Sequence, residues 1–525
     1  IDQNELSKNS VRQVLETELF PTKDIASGTP TNISVLNLAY YPEERGPYNY
    51  DVEATPYSAG IDSEGNLSNP ASRWGGIMRK MESTDFEATN IEYLEFWLMD
   101  PFADEEYQNN PGKLYINFGD ISEDILRDGR KFYENGLPIS EVVENVDTTI
   151  WGRVPTMQDL VGTFSNESNA RQFQDVGLDG LRDVDERSFF EDTYLNIIRS
   201  RFGEASNAYT QANGDPSGDN FHFYRSSEWD RADEEEHRSI LARYKNFNGP
   251  DGNSPSDIQR TETYTTSSTT LPDGEDINND NTLSETERYY QYVIDLDPAQ
   301  MVVGKNHIAD IHEATNVALA NGEIGSMRWY QFRVPIKQPD KVIGRIDDYS
   351  SIRFMRMFVR EFQRPIVLRF ATLDLVRGEW RTYSQSIQAP GEYQPNDVSN
   401  NTTFDISAVN LDENSRRDPV PYVIPPGIQQ EQVIGTTAIT KVNEQSMQLT
   451  VQNLVDGDGR AVYKTADFDF RQYKYLKMFI HAEAAQEEDP LADQDITVFL
   501  RLGTDFTENY YEYEVPVKVT PWHTS

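Results

Sequence analysis

Three times along the chain, an aspartate-bearing turn leads into a run of aromatic and aliphatic residues interleaved with polar ones. The first run, Ile91-Glu92-Tyr93-Leu94-Glu95-Phe96-Trp97-Leu98, follows Asp85-Phe86-Glu87-Ala88. The second, Ile352-Arg353-Phe354-Met355-Arg356-Met357-Phe358-Val359, follows Asp347-Asp348-Tyr349. The third, Tyr473-Lys474-Tyr475-Leu476-Lys477-Met478-Phe479-Ile480, follows Asp467-Phe468-Asp469-Phe470. Short runs of this make-up predict β-strands. A second strand follows each after a gap: Lys113–Asp120, Ile366–Ala371 and Ile496–Gly503.

A closing strand completes the pattern. It reads Tyr510–Val517 in the third copy and Glu379–Tyr383 in the second. The first copy has none nearby, yet Tyr289-Tyr290-Gln291-Tyr292-Val293-Ile294-Asp295-Leu296 matches the closing strand closely. The simplest explanation is a long insertion within the first repeat. The expected fold is therefore mainly β, with three related antiparallel β-sandwich modules of jelly-roll type. Their predicted extents are 28–125 with 288–300, then 301–395, then 396–525.

The insertion, 126–287, has another rhythm. Segments Asp185–Phe202 and Glu228–Tyr244 place apolar residues at helical spacing, the latter with Ser226 or Ser227 as N-cap. Segments 205–220 and 246–270 are rich in Gly, Asn, Ser, Thr and Asp and read as loops. Arg127, Arg130 and Lys131 beside Asp124 and Asp128 read as a salt-bridged helix start.

Composition narrows the function. Acidic residues outnumber basic ones by 88 to 47, for a net charge of −41. That field repels nucleic acid and anionic lipid, attracts divalent cations, and suits a solvated surface. There is no cysteine, which excludes disulfides, thiolate metal sites and cysteine nucleophiles. No run is long and apolar enough for a membrane helix. The chain opens on a polar segment without a signal peptide, so it is expected to be a piece of a longer protein.

Two segments carry the spacing of an oxygen-ligand calcium loop, in which alternate side chains and a final glutamate surround a hard cation. In Asp276–Glu287 the candidate ligands are Asp276, Asn278, Asp280, Ser284 and Glu287, with Asn281 at the sixth position, where a left-handed backbone is needed. In Asp175–Glu186 they are Asp175, Asp179, Asp183 and Glu186, with Gly180 at the sixth position. Gly177 removes one donor from this second loop. The alternative is an Asp/Asn-rich turn without metal. A structural calcium ion is the expected cofactor.

Catalytic signatures are missing: there is no Gly-x-Ser-x-Gly elbow, no phosphate-binding loop and no His-Glu-x-x-His. His312-Glu313 comes nearest, but Asn316 stands where the second His belongs. The chain is expected not to be an enzyme. The recurring Tyr and Trp residues read as core and strand-pairing side chains. Exposed rings at Trp97 or Trp380 would instead mark a surface carbohydrate-binding protein, the alternative function.

Several strings go beyond composition: Tyr40-Tyr41-Pro42, Arg45-Gly46-Pro47-Tyr48-Asn49-Tyr50, Trp74-Gly75-Gly76-Ile77-Met78-Arg79, Glu92–Phe102, Gly119–Gly129 and Tyr422-Val423-Ile424-Pro425-Pro426-Gly427-Ile428. Together they make the chain resemble the giant outer-membrane translocon of the type IX secretion system of Bacteroidota, the SprA or Sov family. The resemblance implies a very large β-barrel that exports folded cargo proteins and supports gliding motility in some members. The pattern here is too sparse and acidic for lipid-facing barrel strands. The expectation is a soluble cap, plug or flanking region on the extracellular or periplasmic face of the outer membrane. Its expected partners are the barrel of the same parent protein, other type IX components and cargo, with no nucleic acid and no membrane insertion of its own.

Overall fold

A computed structural model gives the fold. It describes residues 2–132, 144–156, 178–222, 239–247, 274–387, 401–417, 420–434, 439–466, 469–485 and 491–521 with a few isolated positions, and within these omits 24, 26, 27, 29 and 30.

Ten strands build a two-sheet sandwich. In chain order they are β1 (Val35–Tyr40), β2 (Trp74–Lys80), β3 (Ile91–Met99), β4 (Gly112–Asp120) and β5 (Arg288–Leu296). Then come β6 (Ile308–Ala318), β7 (Ile324–Pro335), β8 (Lys341–Ile343), β9 (Phe354–Arg360) and β10 (Ile366–Arg377). One sheet has the order β1-β10-β3-β7-β6 and the other β8-β5-β4-β9-β2, with every pair antiparallel.

This arrangement corrects the expected modules. Strands from 28–125, 288–300 and 301–377 share one sandwich instead of forming two, while the expected closing strand Arg381–Tyr383 pairs with Ala461–Tyr463 of the third copy. In each of the first two copies, consecutive strands cross to opposite sheets. Strand β3 therefore pairs with β10, and β9 with β4, so each copy's first strand is bonded to the other copy's second strand. Alternation along a strand specifies which face is buried but not which neighbour is chosen, because all four strands present equivalent edges.

The insertion begins and ends on neighbouring strands. Its flanks, β4 and β5, pair over nine residues from Gly112↔Leu296 to Asp120↔Arg288. Buried Asp120 is bracketed there by the guanidinium groups of Arg288 and Arg353.

Between the sheets lies a single apolar layer. Phe96, Phe332 and Phe370 from one sheet meet Ile116, Phe118 and Tyr292 from the other. Phe96 stacks on Phe332 at 5.0 Å and meets Phe370 edge-on at 5.4 Å. The outer face of the first sheet is also covered. Val14, Leu19 and Phe20, around the short helix α1 (Glu16–Leu19), pack on Trp97, Met99, Met327 and Trp329. There the buried Arg12–Glu18 pair takes a further bond from the Trp329 indole N–H at 3.0 Å, which satisfies a charge pair that burial would otherwise penalise.

Within the insertion, α2 (Asp183–Phe189), a π-turn (Glu191–Leu195) and α3 (Asn196–Phe202) follow the predicted helical spacing. A further helix, α4 (Asn207–Gly214), occupies a stretch expected as loop. Ser206 caps it by accepting from the Tyr209 amide, and Ala208 and Ala212, one turn apart, are buried. These helices share a small core of Val52, Leu181, Phe190, Tyr194 and Ile198. Of the predicted helix 228–244, residues 228 and 230–238 and the proposed caps Ser226 and Ser227 lie outside the described residues. Helix α5 (Ile240–Lys245) forms its end, capped by Ser239. Residues 124–131 form an irregular, bent segment rather than a helix start, and Arg130 pairs with Asp147.

The third copy is open. Thr497–Gly503 and Tyr510–Pro516 form a two-stranded hairpin, and Thr403–Asn410 pairs with Gln445–Gln452 in a separate two-stranded sheet. Tyr473–Ile480, expected as a strand, has no ladder partner among the described residues, and its side chains face solvent: Tyr475 is 71% exposed and Leu476 62%. Its counterparts β3 and β9 each have a strand on both sides. Among the described residues no flanking strand takes up its backbone from Lys474 to Ile480; only the Tyr473 amide is bonded locally, to the Phe470 carbonyl at 3.1 Å. Among the described residues no helix is long and apolar enough to cross a membrane.

Phe332→Ala should lower unfolding free energy by about 3–5 kcal/mol, whereas Tyr475→Ala should change it by no more than about 0.5. Chemical denaturation of the two variants checks this, and equal losses would contradict the assignment of core and surface.

Candidate functional site

The two calcium-loop expectations meet different structural outcomes. In 276–287 the chain folds into the tight turn that the spacing implies, with Asn281 at φ +66°. Its donors are engaged locally. Asp276 accepts from the amides of Asp280 at 3.1 Å and Asn281 at 2.8 Å, and Asn278 Oδ1 accepts from the Asp280 amide at 2.8 Å. Asp280 accepts from both the amide and the hydroxyl of Thr282. The terminal ligand candidate, Glu287, takes both guanidinium nitrogens of Arg356 at 3.0 and 3.1 Å.

Glu123 holds this loop from beneath. Its fully buried carboxylate accepts from the amides of Ile277, Asn278 and Ser284. Sequence reading missed it. The signal available was an acidic run, Asp120 to Asp124, placed just before the insertion.

Among the described residues, two groups of three carboxylates bring ligand oxygens within 4.8 Å of one another, and neither contains Asp276, Asp280 or Glu287. One is Asp124, Asp128 and Glu275. Glu275 is fully buried. Its Oε1 accepts from the amides of Ile125 and Leu126 at 3.0 Å, while Oε2 has no partner. Burial pushes its pKa up to about 8, helped by the charges of Asp128 and Asp124.

The other group is Asp179, Glu186 and Asp219, all buried. Two of the four residues predicted in 175–186 are thus brought together. Asp175 lies outside the described residues. Asp183 is not one of the clustered carboxylates, and the Asn220 side-chain amide sits 2.9 Å from both its oxygens, which sets the amide nitrogen toward them. Asp219 replaces these two, arriving from the turn after α4. Nothing in the loop spacing points to it, because it lies beyond an entire helical hairpin.

Each member of this group is held by local backbone chemistry. Asp179 stands in the turn before α2, where Oδ1 accepts from the Leu181 amide at 2.7 Å and Gly180 supplies φ +71°. Glu186 projects from α2. Asp219 Oδ2 accepts from the amides of Leu178 and Asp179, and Oδ1 from the Ser217 hydroxyl at 2.7 Å. Asp179 Oδ2 and Glu186 Oε2 are left without a partner. Burial drives all three pKa values upward, Glu186 to about 8 and Asp219 to about 6; the Asp219 charge adds to the shift of Asp179 and Glu186, and that of Asp215 to the shift of Asp219.

The carbohydrate reading loses its leading aromatic. Trp97 is only 1% exposed, sealed under the N-terminal segment, and Trp380 is half-buried.

Glu275 supplies a pH test. Its folded pKa, about 8, exceeds the ordinary 4.5, so the native state keeps a proton that the unfolded chain releases. Stability from this group is full below about pH 4.5 and is lost as pH rises through 8. In chelator, melting temperature should fall between pH 6 and 9. Glu275→Gln should flatten part of that slope, on the order of 2 kcal/mol. An unchanged slope in that variant would exclude the assignment.

No curated protein matches this sequence. A family model described as a motility related/secretion protein matches residues 193–525, which takes in α3, the second half of the insertion, most of the sandwich and the open third copy. That match covers well over half of the chain, which therefore belongs to the SprA_N family of motility and secretion proteins.

Proposed function

We propose that this chain is a non-catalytic cap, plug or flanking region of an outer-membrane protein-secretion translocon, seated on the transmembrane β-barrel of its own parent protein. Family membership supports the secretion role. The observation that carries the seating is the open third copy. Tyr473, Tyr475, Leu476, Met478 and Phe479 are each more than half exposed, in a segment whose two counterparts are buried among neighbouring strands. A contiguous exposed apolar run whose backbone has no ladder partner among the described residues is chemistry for adding a strand. The fitting partner is an extended strand of the barrel polypeptide.

The net charge of −41 belongs with this picture. It holds the module away from anionic headgroups while apolar contacts seat it. In this role the module supports export of folded cargo and, in gliding bacteria, motility, beside other type IX components on either face of the outer membrane.

A photo-crosslinker at Tyr475 or Phe479 in the full-length parent protein tests the seating. The expected adduct joins this segment to the barrel or to another secretion component. The control position is Tyr57, 97% exposed and distant in sequence. Adducts at 475 and 479 no stronger than at 57 would defeat the proposal.

A further inference from the structure

We infer that Asp179, Glu186 and Asp219 form a binding site for one hard divalent cation, calcium, which clamps the helical insertion. Three observations converge. The carboxylates are almost wholly buried, at 2%, 1% and 4% exposure, yet their oxygens lie within 4.8 Å of one another. Two of those oxygens, Asp179 Oδ2 and Glu186 Oε2, have no hydrogen-bond partner. Buried like charges are relieved by a proton or by a counter-ion, and the oxygens left without a partner give the ion a seat.

Among the described residues no side chain supplies that counter-ion. The nearby guanidinium of Arg45 lies over the rings of Tyr50 and Tyr194 and donates to the carbonyls of Asn49, Asp215 and Pro216 instead. The donor set is oxygen alone, which selects a hard cation over zinc or copper. The Tyr50 hydroxyl, buried without a partner and sensing the charges of Asp179, Asp219 and Glu186, adds a further oxygen beside the pocket. Water completes a calcium shell of six to eight oxygens.

The ligands come from three places: the turn before α2, α2 itself, and the turn after α4. One ion therefore ties both ends of the helical hairpin together. This set differs from the linear 175–186 loop by the recruitment of Asp219, so binding depends on the folded insertion rather than on a short peptide.

Calorimetric titration of calcium into the metal-stripped chain tests the inference, alongside Glu186→Gln and Asp219→Asn. The native chain should bind calcium at a site that both variants lose or weaken at least tenfold, and magnesium should bind more weakly. A double variant, Asp276→Asn with Glu287→Gln, should retain the site. In chelator, Glu186→Gln should melt no lower than the native chain, since it removes a repelled carboxylate, and calcium should raise only the native melting temperature. Terbium should give tyrosine-sensitised emission that Tyr50→Phe reduces. The inference is overturned if the stripped chain takes up no calcium, or if both carboxylate variants bind it as the native chain does.

Discussion

The sandwich depends on one apolar layer that neither of the first two repeats fills alone. Phe96 is packed by Phe332 and Phe370, and the opposing sheet brings Phe118 and Tyr292. Because each repeat sends its two central strands to opposite sheets, removing one repeat would leave both sheets with gaps at their centres. Cooperativity between the copies is therefore built into the hydrogen-bond ladders, β3 with β10 and β4 with β9, as well as into the core. A strand of either copy on its own would have to leave backbone groups unpaired, which burial does not tolerate.

Much of this was legible in the sequence, because strand identity is written locally. The match between Tyr289–Leu296 and the closing strand of the third copy pointed to a partner far along the chain from Gly112–Asp120, and the ladder joins those two segments. Partner choice was not legible: the copies carry near-equivalent patterns, so pattern cannot distinguish pairing within a copy from exchange between copies. The strand expected at Tyr473–Ile480 shows the same limit from the other side. Its residues suit a strand as well as β3 does, but a strand exists only when a neighbour accepts its bonds.

For the carboxylates, the limit was distance along the chain. Loop spacing found Asp179 and Glu186, which lie within one turn-and-helix unit. Asp219, Glu123 and Glu275 act across folded space, and no local rule selects them from 88 acidic residues. What distinguishes them is burial, which only the fold reveals. Among the described residues most acidic side chains reach solvent. The few that are buried are spent on amides, on arginines or on one another.

The insertion leaves the sandwich at Asp120 and returns at Arg288, two residues already opposite each other in a ladder. The loop-closure cost of that excursion is thus met by the sheet, and it grows only slowly with the length inserted. Evolution has an accommodating graft point there. A lineage can enlarge, shorten or exchange the helical lobe without re-registering any strand, so the lobe is where members of a secretion family can diverge in what they touch while keeping the same frame.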